Sequence, residues 1–196
     1  MTRERCLILA SRSPRRRSLL SESGWKVTVV PPDADETWPA CDSVGDATCE
    51  LALRKARRVS QVHNDCPVLA ADTVVILEGR VLGKPSSRAH ARELLQQLSG
   101  CTHEVVTGVA LVLGGESWTG WERSQVTFRP LSGSDIERYL DAASYEDKAG
   151  AYGIQEEGGG ELVQRWEGRF DNIVGLPMNT VESLWIQMGK SRDGVR

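Results

Sequence analysis

A chain of 196 residues is long enough to bury one sizeable core, as one domain or as two closely joined lobes. Its 40% hydrophobic and 26% charged residues are ordinary globular composition, which sets aside disorder and a membrane protein. A formal charge of −3, with only two Phe and three Tyr for stacking, counts against a general RNA or DNA binder.

The charge is unevenly placed. Arg12, Arg15, Arg16 and Arg17 crowd one short stretch, and Asp33, Asp35, Glu36, Asp42, Asp46 and Glu50 follow. On charge alone either cluster reads as a solvated face. The five cysteines show no CxxC pair and no Cys/His spacing suited to zinc. An odd count without a leader points to reduced thiols in a soluble, cytoplasmic protein. The opening apolar stretch is too short for a signal peptide or a membrane span.

Cys6–Ala10 reads as a strand that turns into a helix through Ser11-Arg12-Ser13-Pro14. There Ser13 can cap, Pro14 suits the first helical position, Leu19 and Leu20 face inward, and Gly24 stops the helix. Lys26–Val30 is a second strand, broken by Pro31-Pro32. Thr48–Val62 has Leu51, Ala52, Lys55, Ala56 and Val59 at helical spacing. Val68–Leu77 is an apolar strand interrupted by Asp72, and Glu78-Gly79 turns it into Val81-Leu82. Ser87–Leu98 is a helix closed by Gly100. His103–Leu113 and Trp118–Phe128 form a long hairpin across Gly114-Gly115. Ser132 to Asp135 caps a helix through Leu140, and 142–160 is rich in loops. Leu162–Trp166 and Asn172–Val174 are read as short strands, and Pro177 opens a last helix to about Met188, with a frayed tail over 191–196. Alternating helices and strands followed by a hairpin predict an α/β fold with a mixed sheet.

Four segments carry candidate chemistry. The Ser11–Arg17 turn aims backbone N–H groups and a helix N-terminus at one point, and its guanidinium forks match phosphate oxygens; otherwise it is an exposed basic turn. Asp72 inside an apolar strand needs a partner, a metal or a place at the strand mouth. Gly79–Pro85 has the wrong spacing for a P-loop, and Pro85 stands where Ser or Thr is required, though Lys84 can still face a phosphate. Asp147–Gln155 offers Lys148, Tyr152 and Gln155 as a cation, a ring and an amide, or is simply a flexible loop.

Taken in order, these segments resemble the Maf family of nucleotide pyrophosphatases. The resemblance rests on Leu9–Arg16, Asp35-Glu36-Thr37, Leu53–Ala56, Ala71–Val75, Leu82–Pro85, Ser99-Gly100 with His103, Val106–Leu111, Asp147–Gln155 and Asn172–Pro177. It implies a two-lobed fold of the Maf and inosine-triphosphatase type with a central cleft, one domain over 1–190, and a divalent cation, Mg²⁺ or Mn²⁺. The reaction implied is release of pyrophosphate from a nucleoside triphosphate. It also implies that Asp72 activates water, and that Arg15, Thr73 and Gln155 sort substrates, in the combination of the dTTP/UTP branch. Tyr145-Glu146 and Glu156 depart from the family pattern around the base-side loop.

On that reading Ser13, Arg15, Arg16, Lys55, Lys84 and Lys148 surround the phosphates, and Glu36 with Asp72 is the metal set. Direct coordination would make Asp72 a poorer base, so Asp72 is assigned the base and its coordination is left open. Tyr152, Thr73 and Gln155 read or pack against the base. The alternatives are a related pyrophosphatase acting on 7-methyl-GTP or non-standard nucleotides, and a non-catalytic nucleotide-binding regulator of cell division. The expected partner is the nucleotide, with no nucleic acid, no membrane and a possible homodimer.

Overall fold

A computed structural model describes residues 5–193, with side chains through Ser191. The strands are β1 (Cys6–Leu9), β2 (Lys26–Val29), β3 (Val68–Leu77), β4 (Arg80–Leu82), β5 (Thr102–Leu113), β6 (Glu116–Phe128) and β7 (Val163–Glu167). The helices are α1 (Pro14–Glu22), α2 (Val44–Ser60), α3 (Arg88–Leu98), α4 (Gly133–Ala142), α5 (Gly159–Leu162), α6 (Phe170–Val174) and α7 (Met178–Asp193), with a 3₁₀ turn at Ala149–Ala151. The strands make one seven-stranded sheet in the order β2-β1-β3-β5-β6-β7, with β4 on β3. β1 runs parallel to β2 and β3, while β4 and β7 pair antiparallel with β3 and β6, so the sheet is mixed as expected. Among the described residues no helix is long and apolar enough to cross a membrane.

The chain divides into two compact units. The first holds the residues up to Asp72, Thr107–Glu122 and those from Gly175 on; the second holds Thr73–Val106 and Arg123–Val174. In the first, strand alternation decides which helix covers which face. Leu7, Leu9, Leu69, Ala71, Val109, Leu111 and Leu113 pack with Leu20 of α1 and with Val181, Leu184 and Met188 of α7. Ile8, Ala10, Val68, Ala70, Ala110 and Val112 pack with Ala52, Ala56 and Val59 of α2. Both faces are buried, and the near-continuous apolar reading of β1 and β3 follows from that.

Gly108 lets α2 and β5 approach closely. A Cβ there would lie 2.3 Å from the Thr48 carbonyl carbon and 2.4 Å from the Cys49 nitrogen. In the second unit α3 and α4 are joined by Arg88 and Arg92, which both reach Glu137 (2.9 and 2.5 Å). Those guanidinium groups, Arg92 foremost, hold the Glu137 carboxyl down at about 2.

Three elements differ from their sequence reading. α2 begins at Val44 rather than Thr48, because Ser43 Oγ accepts from the Asp46 amide. Asn172–Val174 is not a strand but part of α6, where buried Asn172 donates to the Val105 carbonyl (3.0 Å) and to Ser124 Oγ (2.9 Å). α7 runs past Met188 to Asp193; of the tail expected over 191–196, residues 194–196 lie outside the described ones.

Candidate active site

In β3 the residues facing α2 are Val68 and Ala70, so the two-residue period places Asp72 on the same side. On α2 the inward stripe of Ala52, Ala56 and Val59 includes Lys55. The two patterns meet: Lys55 Nζ lies 2.6 Å from Asp72 Oδ1 and 2.7 Å from Glu36 Oε1. The Lys55 side chain is 10% exposed, Asp72 16% and Glu36 55%. An ammonium held between two carboxylates satisfies what an apolar strand otherwise makes costly.

Glu36 reaches Lys55 because its segment is tied to α2. Arg54 Nη1 donates to the Thr37 carbonyl (2.8 Å) and lies 3.4 Å from Asp35, while its Nε bonds Glu50 (3.0 Å). Asp35 Oδ1 accepts from the Thr37 amide at 2.9 Å. The bonds to Thr37 and the nearby Arg54 charge hold the exposed Asp35 carboxyl below its ordinary value.

The Ser11–Arg17 turn belongs to the same unit. Ser11, 4% exposed, accepts from the Ser13 amide (3.1 Å) and from Arg16 Nη1 (3.2 Å), and Arg16 Nε donates to the Gly175 carbonyl (2.8 Å). Ser13 occupies the N-cap of α1 but makes no side-chain cap bond, and Pro14 follows. Arg15 is half-buried and Arg17 exposed, with no acidic residue in that turn. Arg16 is therefore in part a structural tie, and Ser11 organises the turn, a role its type alone did not signal.

Thr73, Lys84, Lys148 and Gln155 lie in the second unit. The Gly150 amide donates to the Gly83 carbonyl (3.0 Å), which brings the turn before Lys84 against the loop of Lys148. Gly150 makes this possible with a φ of 67°, a left-handed conformation that glycine adopts without cost. Lys84 and Gln155 are exposed.

Two expectations in this loop need correction. Lys148 is 3% exposed in its side chain, and its Nζ donates to the Ser144 carbonyl and pairs with Asp147 (2.8 Å) and Glu156 (3.3 Å). That is the environment of a buried lysine that shapes a loop, not of a cation offered to phosphate. Tyr152 is 6% exposed; its hydroxyl lies 2.8 Å from His103 Nε2, and its ring packs edge-on against Phe128 with centroids 4.8 Å apart. Burial raises the phenol pKa, so Tyr152 is a core residue and not a ring free to stack on a base. His103, 1% exposed, has its pKa lowered to about 4 by burial and is neutral near pH 7.

Residues 6–188 match the family described as Maf-like protein. The chain belongs to that family. The dTTP/UTP pyrophosphatase of Halalkalibacterium halodurans is 45% identical over 179 residues, covering 91% of this chain and 94% of that one. That of Symbiobacterium thermophilum is 45% identical over 183 residues, covering 93% and 94%. A HAM1 protein of Coxiella burnetii superposes with a TM-score of 0.43 at 18% identity, over 63% of this chain and 73% of that one.

Every candidate residue of this Maf-like chain falls inside the matched range. Among the described residues no group of three or more His, Cys, Asp or Glu converges on a metal position. Glu36 and Asp72 do converge, each through one oxygen, on the Lys55 ammonium. Two carboxylates beside one lysine leave a net negative charge. They fit a hard divalent cation of the kind that takes its other ligands from phosphate oxygens and water.

Proposed function

We propose that this chain hydrolyses dTTP or UTP to the nucleoside monophosphate and pyrophosphate, with a divalent metal cation. The observation that carries the proposal is Lys55 Nζ held between Asp72 and Glu36 in the first unit. An acid inside an apolar strand, steadied by a buried ammonium, has the makings of a positioned base. The curated relatives, named dTTP/UTP pyrophosphatases and 45% identical over about nine-tenths of the chain, support the reaction and the base preference.

Asp72 takes a proton from water as the water oxygen bonds to phosphorus. The bridge between the α- and β-phosphates breaks, and pyrophosphate leaves with the bonding pair. Lys55 fixes Asp72 through Oδ1, so the carboxylate keeps one orientation while the other oxygen serves the water. In the first unit Ser13, Arg15 and Arg16 at the start of α1 supply contacts to the polyanion, and guanidinium forks suit phosphate oxygens; in the second unit Lys84 on its turn is the candidate phosphate cation. Glu36 would hold the metal, which when bound would offset phosphate charge and polarise the phosphoryl group, while Asp72 serves as the base. Arg15, Thr73 and Gln155 set the base preference, and Lys148 keeps the Gln155 loop in shape instead of touching phosphate.

A nucleotide panel read by phosphate release, with and without added inorganic pyrophosphatase, tests this reading. The prediction is turnover of dTTP and UTP in which phosphate appears only with the coupling enzyme and disappears on chelation. Phosphate released without coupling would mean cleavage at the γ position. A preference for 7-methyl-GTP would overturn the assigned branch.

A further inference from the structure

On α4 the inward residues are Ile136, Tyr139 and Leu140, and Tyr139 is 2% exposed. A phenol so deeply placed needs its hydroxyl bonded, and this one accepts the Gly153 amide N–H at 2.9 Å. Its ring stands beside Gly158, where a Cβ would lie 3.8 Å from Tyr139 Cδ2. One side chain thus touches both ends of the turn that carries Gln155. That turn is also closed on itself: the Glu156 amide donates to the Gly153 carbonyl (3.0 Å) and the Gly159 amide to the Glu156 carbonyl (2.9 Å). Lys148 pairs with the Glu156 carboxylate, and Tyr152, next to Gly153, is bonded to His103. The neighbours of Gln155 are fixed from three directions, while Gln155 itself is exposed. The same loop lies against β3 through Gly150, whose Cβ would meet Val75 at 3.2 Å, and strand alternation sets Thr73 on the face of Val75.

We infer, on the reading that Gln155 contacts the base, that Tyr139 is a positioning residue: it holds the Gln155 turn in its binding shape before the nucleotide arrives. A carboxamide offers both donors and an acceptor, and a pair of them matches a pyrimidine edge only if the backbone beneath keeps its place to within about half an ångström. A loose turn would lose its freedom on binding, and that cost would fall on KM and not on the chemical step. Tyr139 is too deeply buried to touch the nucleotide, so its effect runs through the turn. A phenylalanine would fill the same space; only the hydroxyl reaches the Gly153 amide.

Steady-state kinetics with dTTP test it, with tripolyphosphate, which has the phosphates but no base, as a competing inhibitor. Tyr139→Phe is predicted to raise KM for dTTP about 5- to 10-fold, the scale of one lost hydrogen bond, with kcat within about twofold of native. Its inhibition by tripolyphosphate should be unchanged. Gln155→Ala should raise KM at least as much, and adding Tyr139→Phe to Gln155→Ala should raise it by less than about twofold more, because both changes remove one contact. A native KM in Tyr139→Phe, an equal loss of tripolyphosphate affinity, or fully additive effects in the double variant would each overturn the role of Tyr139 while leaving the reaction as proposed. A native chain that turns over no dTTP, or a Gln155→Ala variant with native KM, would overturn the underlying reading and the role of Tyr139 with it.

Discussion

Arg54 bonds the Thr37 carbonyl and lies beside Asp35 on one side while holding Glu50 on the other, so the segment bearing Glu36 is anchored one residue before Lys55. It reaches none of the groups proposed to react and acts as a positioning residue. Arg54→Ala is predicted to raise the metal concentration needed for half-maximal rate by about 10- to 100-fold, the usual penalty for losing a support behind a metal ligand. Arg54→Lys should recover part of it, and an unchanged metal titration would contradict the role. Lys55 and Asp72 were each visible in the sequence, one as a charge in an apolar helical stripe and the other as an acid in an apolar strand. Their pairing was not, because no local pattern says which helix face meets which strand face. The same holds for His103 and Tyr152, 49 positions apart and joined in the core. The folded pKa of His103, about 4, lies below the ordinary 6.5, so the unfolded chain binds the extra proton first. Its contribution is complete above pH 6.5 and is lost as pH falls toward 4, up to about 3 kcal/mol. Denaturation midpoints should fall across that window in the native chain, and His103→Phe should flatten the slope; an equal slope in both would contradict the assignment.

At the scale of elements, the approach of α2 to β5 fixes where Lys55 lies, and Gly108 permits that approach. A methyl at Gly108 would meet backbone atoms of Thr48 and Cys49, which cannot rotate away. Gly108→Ala should cost about 2–4 kcal/mol, near the top of the range for overpacking, and lower activity by displacing Lys55, about two turns further along α2. A denaturant titration with an unchanged midpoint would contradict this. The elements that sequence patterns located well are those with long periods: β3, α3, the β5–β6 hairpin and the capped α4. The start of α2 was missed although Ser43 and Asp46 carry the capping spacing, because Gly45 lies inside the first turn and looks like a breaker. α6 was missed because a short apolar run does not distinguish a strand from a helical turn; the bonds from Asn172 to β5 and β6 decide it.

For the molecule as a whole, family membership rests on nine ordered segments, and 183 of the 196 residues (6–188) fall in the family match. That order was legible in the sequence, as was the mixed sheet. Two lobes were an expectation from the resemblance; where the chain divides, with Asp72 closing a segment of the first unit and Thr73 opening the second, was not legible, because β3, β5 and β6 each run unbroken through the division. All of the chemistry assigned to the chain converges on Asp72 as the acceptor of a water proton. Asp72→Asn keeps the size and polarity of the side chain while removing the basic oxygen. The most direct measurement sets its turnover of dTTP against its affinity for dTTP by calorimetry. The account predicts that kcat falls about 100- to 10,000-fold while nucleotide affinity stays within a few-fold of native. Affinity lost in step with turnover would instead make Asp72 a binding or structural group and contradict its role as the base.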